Sequence, residues 1–128
     1  MAYMVDTSIA IRLRDGEPAA THKVLRLPGG VFMSIITRVE LEGGVYRDPK
    51  DAATRRVRLD TLLATIATVA FEEEAARVYG QIVANLGYSR PRMLDRMIAA
   101  QAIVHKATLI TNDRRGFNGI ASLQLEVW

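Results

Sequence analysis

At 128 residues, with 49% hydrophobic side chains, 9 Gly and 4 Pro, the chain can bury one substantial core, which predicts a single folded domain over 1–128 and excludes a disordered or fibrous polymer. No basic leader followed by an apolar secretion segment is present, and no run nears the roughly 20 apolar residues needed to span a bilayer, so the expectation is a cytoplasmic protein with no membrane role. The net charge of +3 comes from 14 Arg and 3 Lys against 14 acids, and the absence of cysteine excludes disulfides and thiolate metal sites.

Residues 2–6 form a short apolar run that predicts a strand, followed by Thr7 and Ser8 as candidate helix caps and by IAIRL as a helix. A second helix is expected over 18–27 with Pro18 at its start, before the Pro-Gly-Gly at 28–30 breaks the chain and VFMSI supplies another strand. Thr37 is placed to cap a helix that runs through Val45. Asp48-Pro49 marks a boundary, and 50–65 reads as a helix, with Leu59, Leu62, Leu63 and Ile66 at helical spacing.

ATVAF suggests a strand over 67–71, and EEEAARVYGQIVANLG a helix with acids in its first turn and Gly87 at its end. Tyr88 to Met93 reads as a loop, LDRMIAAQAIVH as a helix with Ile98 and Ala102 on one face, and ATLIT as a buried strand. Asn112 to Gly119 is expected to be a loop with a short turn, and LQLEV a final strand. This alternation predicts an α/β fold, a three-layer α/β/α sandwich around a mainly parallel sheet.

Four acids fall at the ends of these elements: Asp6 after the first strand, Glu40 and Asp95 early in helices, and Asp113 after the ATLIT strand. In an open α/β sheet such positions face the crevice beyond the strand carboxyl ends. Each has a structural alternative. Asp6 suits a helix cap or Asx turn, Thr37 and Glu40 have capping-box spacing, Asp95 suits the positive end of a helix dipole, and Asp113 can cap a turn or pair with Arg114 or Arg115. Packed together without a counterion, four carboxylates repel; Mg²⁺, or Mn²⁺, would relieve the repulsion and suits oxygen donors. Such an ion activates water and stabilises charge on a phosphodiester oxygen. With those four acids neutralised, 17 cationic side chains face ten acids, a balance that favours a phosphate-bearing substrate.

The segments MVDTSIAIRL, SIITRVELEGG, LDRMIAAQAI and TLITNDRRGF, closed by LQLEVW, resemble the PIN-domain ribonucleases, and among them the VapC toxins of bacterial toxin–antitoxin pairs. The resemblance implies an Mg²⁺-dependent endoribonuclease toxin with Asp6, Glu40, Asp95 and Asp113 as catalytic and metal-binding residues, Asp6 and Asp95 foremost. Glu40 would bind metal or orient the attacking water, and Asp113 would act through water or complete a second site. It implies support of the first acid by Thr7 or Ser8, and it makes Ser8, Thr111, Arg114 and Arg115 candidates for positioning the substrate. It further implies cleavage of RNA to 3′-hydroxyl and 5′-phosphate ends, and inhibition by a cognate VapB-like antitoxin whose arginine enters the acidic groove.

Arg12, Arg14, Arg38, Arg90, Arg92 and Arg96 are further candidates for holding the RNA backbone, against the alternative of a solvated charged surface. His22 and His105 lack zinc spacing, and Tyr3, Phe32, Tyr79 and Phe117 read as core or rim residues. Apolar sides on the early helices and on the 50–65 helix predict a homodimer or partner interface. The competing functions are a related DNA or RNA-processing nuclease and a non-enzymatic basic nucleic-acid-binding module.

Overall fold

The computed structural model describes all residues, 1–128. In chain order the elements are β1 (Ala2–Val5), α1 (Thr7–Arg14), α2 (Pro18–Leu25), β2 (Gly30–Ser34), α3 (Ile35–Val45), α4 (Ala52–Thr65), β3 (Ala67–Val69), α5 (Glu73–Leu86), α6 (Met93–Val104), β4 (Thr108–Thr111), a 3₁₀ turn (Arg114–Phe117) and β5 (Gln124–Val127). The five strands form one sheet in the order β3-β2-β1-β4-β5. Every pairing is parallel, so the sheet is wholly rather than mainly so.

Side chains along the central strands leave alternately to the two faces, and both faces are covered, which is why these strands read as continuous apolar runs. Tyr3 and Val5 of β1 and Ile110 of β4 join Ile9, Leu41, Leu59 and Leu62 under α1, α3 and α4. Met4 and Leu109, their alternates, join Ile82, Ile98 and Phe117 under α5, α6 and the 3₁₀ turn. The expected three-layer sandwich is borne out.

Local signals explain most boundaries. Pro18 opens α2, where its fixed φ suits the first turn and its missing N–H goes unmissed. Glu73 and Glu74 complement the positive end of α5, and Gly87 ends that helix at φ 85°, a conformation costly for a side chain. Three expectations are corrected. Asp6, not Thr7 or Ser8, caps α1, its carboxylate accepting the Ile9 N–H. Ser34, not Thr37, caps α3: β2 runs straight into the helix, and the Ser34 hydroxyl oxygen accepts the Ile36 N–H at 2.9 Å. Thr37 therefore sits fully buried inside α3, and Thr37 with Glu40 is no capping box. The third correction is β3, which stops at Val69 rather than continuing to 71; the Gln101 amide takes the Ala70 carbonyl at 2.9 Å and draws the chain out of the ladder.

Between β1 and β4 the direction of sheet construction reverses. From β1 the chain adds β2 and then β3 on one side, then crosses to build β4 and β5 on the other. Connections leaving neighbouring strands in opposite directions open a crevice at their carboxyl ends. Asp6 follows β1 there, its N–H bonded to the Ile110 carbonyl of β4 at 3.0 Å.

Candidate active site

Asp6 is 5% exposed and has both carboxylate oxygens engaged. Oδ1 accepts the Ile9 N–H at 3.0 Å and the Ser8 hydroxyl at 2.5 Å. Oδ2 accepts the Thr111 hydroxyl from the end of β4 at 2.5 Å. Thr111 Oγ1 accepts in turn from the Asp113 N–H at 3.1 Å, and Ser8 Oγ from the Asn112 N–H at 3.2 Å, tying the start of α1 to the loop after β4. Burial pushes the Asp6 carboxyl above its ordinary pKa, and these donors only partly oppose the shift. The hydroxyls of Ser8 and Thr111 thus point at Asp6.

Asp95 lies in the first turn of α6, half-buried, and its pKa is pushed up to about 6. Burial is the largest cause, followed by the negative charges of Asp6 and Glu40; Arg92 opposes them and Asp113 adds to them. The carboxylate faces Gly116 of the 3₁₀ turn so closely that a Cβ there would stand 2.4 Å from Asp95 Oδ2. Only glycine leaves room for this oxygen. The sequence reading passed over Gly116, for which the one available signal was a glycine inside the NDRRGF segment.

Asp6, Asp95 and Asp113 line one polar depression of about 480 Å³, with Thr7, Ser8, Arg92, Thr111 and Arg115 among their neighbours. Glu40 lies just outside it, in an adjoining depression that shares Thr7. Thr7 Oγ1 donates to Glu40 Oε1 at 2.6 Å and stands 3.1 Å from Thr37 Oγ1, which fixes Glu40 from across α1. Asp113 is exposed and already occupied: it caps the 3₁₀ turn through the Arg115 N–H and takes the Arg115 guanidinium on both oxygens at 3.1 Å. Those bonds hold its pKa below the usual carboxylate range. The four expected acids are therefore electrostatically joined but not equivalent, with Asp6 and Asp95 inside, Glu40 flanking and Asp113 at the rim.

No three Asp, Glu or His side chains are arranged to hold a metal ion by themselves. The donor set still fits Mg²⁺, which dehydrates reluctantly and is commonly held by one or two carboxylates with water completing its shell. Asp6 and Asp95 supply such a pair, and the charges of Asp6 and Glu40, which add to burial in raising the Asp95 pKa, are a repulsion that a cation would relieve. Imidazole takes no part: neither histidine lines the depression, and His105 packs edge-on against Phe32 at 5.2 Å.

The expected arginines divide by environment. Arg92 and Arg115 line the acidic depression, where Arg92 Nη1 donates to the Arg115 carbonyl. Arg114 is exposed outside the lining. Arg96 is buried and serves the fold, donating to the Gly87 carbonyl at 2.7 Å. Arg12 and Arg38 pair with Glu17 and Glu42, and Arg90 is exposed.

The PIN domain family model matches residues 3–123. The chain belongs to the PIN-domain family. Among PIN-domain proteins it is similar to Ribonuclease VapC2 of Rickettsia felis, at 29% identity over all of this chain and 98% of that protein. It is also similar to Ribonuclease VapC19 of Mycobacterium tuberculosis, at 31% identity over 94% of this chain and 96% of that one. A third relative, the tRNA(fMet)-specific endonuclease VapC of Shigella flexneri, is 28% identical over the whole chain and 98% of its own length. In three dimensions the PIN fold here matches VapBC2 from Rickettsia felis, solved bound to a DNA fragment from its promoter, with TM-score 0.88 and 28% identity over 100% of this chain and 99% of that one. VapBC-1 from nontypeable Haemophilus influenzae matches with TM-score 0.84 and 26% identity over 100% and 98% of the two chains. No helix in this PIN domain is long and apolar enough to cross a membrane.

Proposed function

We propose that residues 1–128 form one nuclease domain that cuts RNA at the crevice between β1 and β4, using Mg²⁺ or Mn²⁺, and that it acts as the toxin of a toxin–antitoxin pair in the cytoplasm. The observation that carries this reading is the pairing of Asp6 and Asp95, the first locked in orientation by two hydroxyls and a backbone N–H, the second raised to about 6 by burial and then by its acidic neighbours. Its relatives' names supply the activity class, and that of the Shigella flexneri protein makes tRNA the first substrate to test.

Asp6 and Asp95 would hold the cation, whose chemistry is to lower the pKa of water and to neutralise charge developing on a phosphodiester oxygen. The residues themselves do the positioning. Ser8, Thr111 and the Ile9 N–H fix the Asp6 oxygens, so no reorientation is required when substrate arrives. Glu40, whose Oε1 is taken by the Thr7 hydroxyl, would accept a proton from attacking water at Oε2. Arg92 and Arg115 offer cationic contacts at the rim for the incoming backbone. The antitoxin partner in this proposal is drawn from the VapBC complexes this fold matches; the homodimer, and an antitoxin arginine entering the acidic depression, rest on the family resemblance and on the acids that line the crevice.

Purified protein incubated with tRNA, other RNA and DNA, in Mg²⁺ and in EDTA, tests the reading. RNA cleavage that needs Mg²⁺ and falls at least about a hundredfold in both Asp6→Asn and Asp95→Asn is expected, each removing a group that supports the ion. Cleavage unchanged in these variants contradicts the site. Metal-dependent cleavage of DNA alone would favour the other nuclease class, and RNA binding without cleavage the non-enzymatic module.

A further inference from the structure

Beyond Thr7 from the acidic depression lies a second one of about 330 Å³, where Arg14, Arg47 and Arg55 stand with Asp15 and Glu40. Arg14 is its unusual member. The side chain is 7% exposed at the end of α1, yet its guanidinium makes a single hydrogen bond, from Nε to Asp15 Oδ1 at 3.0 Å. No fully enclosed side-chain nitrogen in the protein lacks a partner, so each Nη atom keeps some exposure to solvent, and Arg14 lines both this depression and the apolar groove beside α2 and α4. Nη1 lies against the Gly44 face of α3, where a Cβ would stand 3.5 Å from it.

A positive residue closing the last turn of α1 accounts for the charge of Arg14 and its bond to Asp15. It leaves the planar Nη pair, whose spacing matches two phosphate oxygens, without a hydrogen-bond acceptor, although Asp15 balances the charge. The surroundings favour an anion. Arg55 donates Nη1 to the Gly44 carbonyl at 2.9 Å, which quenches part of the negative end of α3, and Arg47 stands exposed at the lip. Thr7 lines both depressions, and the Glu40 charge is felt at Asp95, so one strand lying over Thr7 would meet both.

We propose that Arg14, flanked by Arg47 and Arg55, binds a backbone phosphate of the RNA adjacent to the one that is cut and so sets the strand in position. This rests on the ribonuclease reading for its ligand. Because the contact is to phosphate, it orients the strand without reading its sequence.

The test uses the full chain in EDTA, so that the strand stays intact, titrated with a labelled single-stranded RNA at several salt concentrations and with inorganic phosphate as competitor. Gly44→Glu sets a carboxylate against Arg14 from a helical position with space for a side chain, and Arg14→Lys keeps the charge but loses the fork; equilibrium unfolding of each confirms that it is folded. Gly44→Glu is expected to weaken RNA binding about tenfold and to flatten the dependence of log affinity on log salt by about 0.7, the share of one phosphate on a single strand. Arg14→Lys should weaken binding severalfold, and phosphate should compete better against wild type than against Gly44→Glu. Unchanged affinity and salt slope in folded Gly44→Glu overturns the proposal. So does a Gly44→Glu chain that keeps its RNA affinity but loses binding to a polyglutamate peptide, which would give the depression to an acidic protein partner. Wild type whose RNA affinity falls in Gly44→Glu as expected, yet which cleaves no RNA in Mg²⁺, would sink the nuclease reading and with it the position beside a cut bond, while the phosphate contact of Arg14 would hold.

Discussion

Asp6 shows why capping a helix and the catalytic role proposed for its carboxylate need not compete. The geometry that lets it accept the Ile9 N–H also turns its second oxygen toward Thr111, and two hydroxyls then fix a side chain that burial would otherwise drive toward protonation. Thr111→Val keeps shape and removes a donor, so cleavage or Mg²⁺ affinity should fall about 10- to 100-fold, the usual cost of losing such an orienting bond. A metal titration read by activity checks it. Asp95 carries the pH dependence. Its pKa is about 6 when folded against 3.8 ordinarily, so between those values the folded chain holds more protons than the unfolded one. Stability of the metal-free protein must therefore fall as pH rises from about 4 to 6, by on the order of 1–2 kcal/mol after allowance for screening of a half-buried group. Denaturant unfolding in EDTA should show the decline in wild type and a flatter profile in Asp95→Asn. Cleavage should rise with pH through about 6 at limiting Mg²⁺, and the midpoint should move lower as Mg²⁺ is raised, because proton and cation compete for one cluster of acids.

At the scale of elements, the 3₁₀ turn matters because it brings Gly116 against Asp95. Gly116→Ala must displace either the turn or the carboxylate, since its Cβ would come within 2.4 Å of Asp95 Oδ2. The expected outcome is at least about tenfold lower activity with a raised Mg²⁺ requirement, measured by cleavage across a metal titration. Gln101 plays the matching part for the fold. It is 1% exposed, receives the Ser34 hydroxyl, and donates to the Ala70 carbonyl at 2.9 Å, pinning α6 to the ends of β2 and β3. Gln101→Leu would leave those groups buried and unpaired, costing about 2–3 kcal/mol in equilibrium unfolding. Neither role was legible in the chain. Gln101 stands in an apolar AAQAI run with nothing to name its partners, 31 and 67 residues away, and Gly116 owes its importance to Asp95 on a helix that precedes it in the chain. What local sequence does carry is the entry to α2 and the exit from α5, where Pro18 and Gly87 act through their own backbones. Thr37 and Glu40 show its limit: their spacing satisfied a capping rule, and the long-range pull of β2 into α3 placed the cap at Ser34 instead.

Across the whole molecule, the apolar runs of β1 and β4 announced a buried parallel sheet because both of their faces are covered, one by α1, α3 and α4 and the other by α5 and α6. Strand order was not written there. It decides which strand ends meet, and the order β3-β2-β1-β4-β5 brings Asp6 beside Thr111 although 105 positions separate them. Residue types at strand ends and on helices therefore singled out the candidate acids, while the grading among them came from tertiary contacts such as the Arg115 clamp on Asp113. The charge of the molecule is likewise arranged rather than merely positive, with Asp6, Asp95 and Asp113 beside Arg92 and Arg115 in the crevice, and Arg14, Arg47 and Arg55 beside Asp15 and Glu40 in the depression next to it. The central claim is that Asp6 and Asp95 share one cation. Crystals soaked in Mn²⁺ and measured at an anomalous wavelength test it most directly. The account predicts a peak within coordination distance of both carboxylates in wild type and its loss in Asp95→Asn; a peak elsewhere, or none at saturating Mn²⁺, would contradict it.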